Sequence, residues 1–93
     1  MLRASARHIL VDTQEECLEL KAKIANGEAF TEIAKLHSNC PSKANGGALG
    51  SFGKGQMVKE FEEVVFSAEL NSVEGPIKTQ FGYHLVEVTN RTE

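Results

Sequence analysis

The sequence predicts an α+β domain, a small and mainly antiparallel four-stranded sheet surrounded by about four helices in the order β-α-α-α-β-α-β-β. Three observations carry this. Period-two alternation of apolar and polar residues is clearest near the two ends, over Ser5–Val11 and Tyr83–Thr89. Between them the pattern changes to a helical period in consecutive segments, without the strand–helix–strand rhythm of a parallel sheet. The last two strands are separated only by Gln80-Phe81-Gly82, a turn that makes them a hairpin. Helices grouped between strands, with a hairpin at the end, suit an antiparallel sheet with segregated helices.

In the first strand Ala6, His8 and Leu10 fall on one face and Arg7, Ile9 and Val11 on the other. Asp12 ends it. Thr13-Gln14-Glu15-Glu16 reads as a capping box, with threonine at the N-cap and glutamate three residues on. The helix that follows runs to about Asn26. Cys17, Leu20 and Ile24 form its buried stripe, flanked by Leu18, Ala22 and Ala25, which makes Cys17 a small core residue. A second helix covers about Ala29 to Ser38, with Phe30, Ile33, Ala34 and His37 on one face and His37 at the helix edge. Pro41 excludes helix from the residue before it, so Asn39-Cys40-Pro41-Ser42 breaks the chain, and Ser42–Asn45 forms a helical turn. Leu49–Phe52 is a short strand. Phe61, Val64 and Val65 place a third amphipathic helix over about Val58–Ser67. Ala68–Gly75 reads as a loop and Pro76-Ile77-Lys78 as a short edge strand, where an initial proline is tolerated. In the final strand His84, Val86 and Val88 face one way and Tyr83, Leu85 and Glu87 the other.

The chain of 93 residues is read as one domain, 1–93. Its 41% apolar and 25% charged content is that of a soluble globular protein. A net charge of −3 and an isoelectric point near 5.6 argue against nucleic-acid and anionic-membrane partners, which call for a basic face. No apolar run is long enough to cross a bilayer, and the first residues lack the apolar core of a signal peptide, so a cytoplasmic monomer is expected. Cys17 and Cys40 fit no metal-ligand spacing and are read as free thiols. Neither a metal nor another cofactor is expected.

Function is most visible between Gly46 and Phe61. Five of the eight glycines fall in the first ten residues of this stretch, among single apolar residues, which marks a backbone-shaped binding surface rather than plain core. The spacing matches no phosphate loop. Elsewhere, His8 and His84 stand on the first and last strands. They are either two separate half-buried residues or, if those strands pair centrally, a hydrogen-bonded pair on one face. Cys40, in a polar break, is either an incidental exposed thiol or a nucleophile or hydrogen-bonding group facing the pocket. Thr79 is equally readable as an ordinary strand residue.

Five segments together resemble the parvulin family of peptidyl-prolyl cis/trans isomerases, in the right order and over nearly the whole chain. They are Ala6-Arg7-His8-Ile9-Leu10-Val11, Phe30-Thr31-Glu32-Ile33-Ala34-Lys35, Gly46-Gly47-Ala48-Leu49-Gly50-Ser51-Phe52 with Gly55-Gln56-Met57, Phe61-Glu62-Glu63-Val64-Val65-Phe66, and Gly75-Pro76-Ile77-Lys78-Thr79-Gln80-Phe81-Gly82-Tyr83-His84. The overall form is closest to the small single-domain bacterial parvulins. The resemblance implies a four-stranded antiparallel sheet wrapped by helices and X-Pro isomerase activity in protein folding. It implies a proline pocket of Leu49, Met57 and Phe61, with Phe81 at a rim position that varies between subfamilies. It implies a polar catalytic cluster of His8, Cys40, Thr79 and His84, in which the family accepts Cys or Asp at the Cys40 position. The partners would be proline-containing polypeptides, unfolded or partly folded, with an apolar residue preferred before proline and no phosphate requirement. The alternatives are a non-catalytic peptide-binding or chaperone module on the same fold and, more remotely, a thiol or metal enzyme built on Cys40, His8 and His84.

Overall fold

The computed structural model describes residues 3–53, 55–57 and 59–92. Strand β1 spans Arg3–Val11, helices α1 and α2 Gln14–Ala25 and Phe30–His37, a 3₁₀ turn Pro41–Asn45, strand β2 Ala48–Gly53, helix α3 Lys59–Val65, and strands β3 and β4 Val73–Thr79 and Gly82–Thr92. The four strands form one sheet in the order β2-β1-β4-β3, and every neighbouring pair is antiparallel. The first and last strands of the chain are therefore the two central ones, and both edge strands lie between them in sequence.

Alternation decides what each face of β1 and β4 meets. Ile9, Val11 and Leu85 point to the side covered by α1 and α2, where they pack with Cys17, Leu20, Phe30, Ile33 and Ala34. Ala4, Ala6, Val86 and Val88 point to the other side and pack with Phe52, Ile77 and the α3 residues Phe61 and Val65. The α1 stripe lies as its spacing predicts, with Cys17 and Leu20 buried. Leu18, a flanking residue, is 50% exposed. Thr13 caps α1 by accepting the Glu16 amide at 3.2 Å. Burial pushes the Cys17 thiol up to about 11, so it is a neutral core group.

Four elements depart from the sequence expectation. β3 begins at Val73, inside the stretch read as a loop over Ala68–Gly75. The Gly75-Pro76 pair suggested a boundary, but a register shift between Glu74 and Ile77 carries the strand past it. An edge strand does not need the amide that proline lacks. β1 and β4 are also longer than their apolar alternation, because Arg3 pairs with Thr92 and Ala4 with Arg91. The expected start of the third helix at Val58 lies outside the described residues, and the described helix ends at Val65, short of Ser67.

Candidate active site

His8 and His84 share the face of the sheet toward α3 and are both buried. β1 and β4 place Leu10 opposite His84 and His8 opposite Val86, a diagonal spacing that two imidazoles can bridge. Their Nδ1 atoms lie 3.2 Å apart, with ring planes within 16° and centroids 5.3 Å apart. Two glycines make this placement possible. Gly47, at φ +87°, accepts the His8 amide through its carbonyl at 2.9 Å, and a Cβ there would stand 2.4 Å from the His8 carbonyl oxygen. At Gly75, φ +135°, a Cβ would stand 2.5 Å from the carbonyl oxygen of His84. Any side chain at either position would push the adjacent histidine backbone away.

Hydrogen bonding links the groups of the cluster. The Phe81 amide donates to Thr79 Oγ1 at 3.2 Å, and that oxygen lies 2.8 Å from His84 Nε2. A hydroxyl that has accepted from Phe81 can still donate to His84 Nε2 or accept from it, so the chain runs in either of two directions: His84 Nδ1 donates to His8 Nδ1, or His8 Nδ1 donates to His84 Nδ1. His8 Nε2 has no partner among the described residues. Both rings are neutral at pH 7. Burial, with the neighbouring His84 as the smaller cause, lowers His8 from 6.5 to about 4, and burial also lowers His84. Phe61 closes the assembly, its ring edge-on to both imidazoles at 5.7 Å.

Beside this floor opens a cleft of about 440 Å³. Leu49, Met57, Phe61 and Phe81 line it together with Cys40, His8 and His84. Thr79 is not on its wall and holds His84 from behind. The structure thus brings the four predicted pocket residues and three of the four predicted polar residues around one space. Leu10, Asn39, Pro41 and Gln56 complete the lining, and no charged side chain takes part. Cys40 faces the cleft as a half-buried free thiol. Contrary to the expected hydrogen-bond chain, no described bond joins its sulfur to either imidazole.

Two positioning residues were not singled out in the sequence. Ser38, buried at the end of α2, accepts the Leu10 amide at 3.1 Å and the Cys40 amide at 3.3 Å, and the Asn39 amide donates to the Leu10 carbonyl at 2.7 Å. These bonds staple the Cys40 segment to the end of β1. Its one sequence signal is a serine at a helix end, where side chains bond to local backbone. Gln56 accepts the Gly53 amide at 2.6 Å, and Glu62 of α3 accepts the Gly55 amide, so the glycine-rich loop is tied just ahead of Met57.

An antiparallel sheet carrying a paired, neutral imidazole floor beside an uncharged, largely apolar cleft is the arrangement of a peptidyl-prolyl isomerase domain of the parvulin type. The chain belongs to the PPIC-type PPIase family, whose domain model matches residues 2–92. It is 47% identical over 87 residues to the foldase protein PrsA of Geobacillus kaustophilus, covering 92% of this chain and 31% of that protein. The chain thus spans about a third of the length of the curated relatives it matches. Among solved structures it resembles the peptidylprolyl isomerase PrsA of Bacillus anthracis, with 34% identity and a TM-score of 0.96 over 99% of this chain and 43% of that one. It also resembles NmPin, the parvulin of Nitrosopumilus maritimus, with 38% identity and a TM-score of 0.86 over 97% and 98%.

Proposed function

We propose that the domain accelerates rotation about X-Pro bonds in unfolded or partly folded polypeptides, prefers an apolar residue before the proline, and does not require phosphate there. The uncharged lining of the cleft is the observation that carries this reading. X-Pro rotation faces a barrier of ~18–20 kcal/mol because the twisted amide loses its resonance. No cofactor is needed to lower it, only stronger binding of the twisted form than of either planar one. Leu49, Met57 and Phe61 hold the pyrrolidine ring by apolar burial, which leaves the preceding carbonyl free to turn. The twisted amide has lost its charge separation, and a dry wall of neutral rings and aliphatic groups favours it over the solvated planar form. His8, His84 and Thr79 act as the ordered floor of that wall. Cys40 contributes a polar contact to the wall, not a covalent step.

The rim speaks to the residue before proline. Phe81 is 60% exposed at the cleft and offers apolar contact. Asn39, a lining residue, donates from Nδ2 to the Asp12 carboxylate at 3.3 Å, which places a negative charge beside the entrance. Glu15 and Glu16 follow in the first turn of α1. A phosphate carrying nearly two charges meets acids here instead of an arginine fork. Of the two lysines in the glycine-rich segment and the start of α3, Lys54 lies outside the described residues and Lys59 is exposed. We take the domain to act as a monomer in a reducing, cytoplasmic setting, without nucleic-acid or membrane partners. Two free cysteines and the net negative charge support that reading.

The test is kcat/KM, without a coupled protease, for matched peptides differing only before proline. Leu-Pro should exceed Glu-Pro and phosphoserine-Pro by at least about tenfold, a difference of roughly 1.4 kcal/mol. A faster phosphoserine peptide would overturn the specificity. Binding without acceleration of any peptide would favour the non-catalytic module.

A further inference from the structure

We infer that the outer edge of β2 beside Leu49 receives the substrate chain that follows the proline as an added β-strand. This rests on the isomerase reading and extends it from the proline ring to the polypeptide around it. The two edge strands of the sheet are treated differently. β3 carries the features that discourage strand addition, namely Pro76, the charges of Glu74 and Lys78, and Lys21 Nζ donating to the Gly75 carbonyl at 2.8 Å. β2 reads Ala-Leu-Gly-Ser-Phe-Gly, without a charge or a proline. Only its far half is occupied by side chains, where Gln56 takes the Gly53 amide and Arg3 donates to the Ser51 carbonyl at 3.2 Å. The half from Ala48 to Gly50 has no side-chain guard, its one irregularity being a register shift against β1 between Ser51 and Ala48, and no strand pairs its outer side among the described residues.

That half reaches the cleft through Leu49, which lines it, while Ala48 and Gly50 on either side are exposed in a separate hollow beside Ser5, Arg7 and Thr89. A Cβ at Gly46, Gly47, Gly75 or Gly82 would strike neighbouring atoms, whereas one at Gly50 would meet nothing within 4 Å, as at Gly27 and Gly55. Gly50 itself has φ +75°, which glycine adopts without strain, and the face of the sheet above it is open. Main-chain pairing along an uncharged edge also suits a partner of varied sequence, since affinity comes from amides that every polypeptide has.

Rotation itself selects which flank pairs. Isomerisation turns one side of the X-Pro bond against the other, so both sides cannot remain in register with β2. The ring is held by Leu49, Met57 and Phe61, and the residues after proline are fixed with it. The preceding residue swings.

The experiment uses an uncharged ten-residue peptide centred on Leu-Pro and a series of its single N-methyl derivatives on both sides of the proline. Alternate N-methyl positions after proline should lower kcat/KM by about fivefold, as expected for one lost hydrogen bond, with the positions between them and those before Leu unaffected. Amide hydrogen exchange on the protein, at ten times the peptide Kd, should slow about tenfold within residues 48–51 and stay unchanged in β3. A flat N-methyl profile, or protection on β3 instead, overturns the inference while leaving the isomerase reading intact. Absence of turnover for the parent peptide defeats the isomerase reading and the inference with it.

Discussion

Acid should destabilise this fold through its two neutral histidines, and His8 gives the effect a magnitude. In the unfolded chain His8 takes a proton near 6.5, and in the folded protein not until about 4. Between those values the unfolded state binds more protons, so stability rises with pH across the window and falls as pH is lowered through it. At about 1.4 kcal/mol per unit, the gap corresponds to roughly 3 kcal/mol, present in full above about pH 7 and lost by about pH 4. His84 is lowered too and acts in the same direction. The assay is urea unfolding of the native protein and of His8→Leu at intervals from pH 7.5 to 4.5. The variant loses some stability at neutral pH, because His84 Nδ1 is left without its hydrogen-bond partner. Its pH dependence should nevertheless be shallower than that of the native protein, since one titrating group is gone. Parallel curves would refute the claim that His8 is held neutral by burial. Turnover, by the same reasoning, should be flat from about pH 7 to 8, because both imidazoles are lowered from 6.5 and stay neutral there.

Other substitutions separate the wall of the cleft from its support. Met57→Ala should reduce kcat/KM about tenfold with little change in Tm, because a half-buried methionine contributes contact to the proline and little to the core. Phe61→Ala should lose activity together with roughly 3–5 kcal/mol of stability, since Phe61 is 3% exposed and touches Phe52 and both histidines. Native turnover in both would mean the cleft does not hold the proline. Cys40→Asp should keep substantial kcat/KM and Cys40→Ser an impaired but measurable value; complete loss in both, with a trapped acyl-type adduct, would support covalent catalysis. Gly47→Ala should give a markedly lowered Tm by calorimetry, because its methyl would stand 2.4 Å from the His8 carbonyl oxygen at a positive φ.

What the sequence disclosed followed from periodicity. β1, β4, α1 and α2 have clear apolar faces, and each lies within a few residues of its expected place. The ends of β1 and β4 were hidden because Arg3, Asn90 and Arg91 interrupt the alternation, and their pairing partner supplies the strand conformation. β3 was hidden by Gly75-Pro76, which reads as punctuation in any local window. The meeting of His8 and His84 depended on topology, since two strands at opposite ends of a chain pair only if the fold places both at the centre of the sheet. Ser38 and Gln56 had no period to reveal them, because each satisfies backbone amides of one local loop. The thiol of Cys40 shows the opposite limit, where a residue was placed at the right wall but its bonding was not readable.

The division between centre and edge explains how one small sheet can be both rigid and permissive. The histidines occupy paired central strands whose opposite faces are both committed. A one-residue slip of β1 would turn His8 toward α1 and α2 and bring Ile9 to the cleft, so the core formed by Ile9, Val11 and Leu85 holds the register of the floor. Gly47 and Gly75, pressed against the carbonyls of His8 and His84, leave that backbone no room to relax. Adaptation to different chains must therefore come from the walls, where Met57 is flexible, Phe81 is exposed and Cys40 sits on a half-buried loop stapled at Ser38 and Asn39. A fixed floor with yielding walls is what this reaction requires. The twisted amide looks the same in every substrate, so it can be favoured by an unchanging surface, whereas the side chain before proline differs in each and has to be met by groups that move.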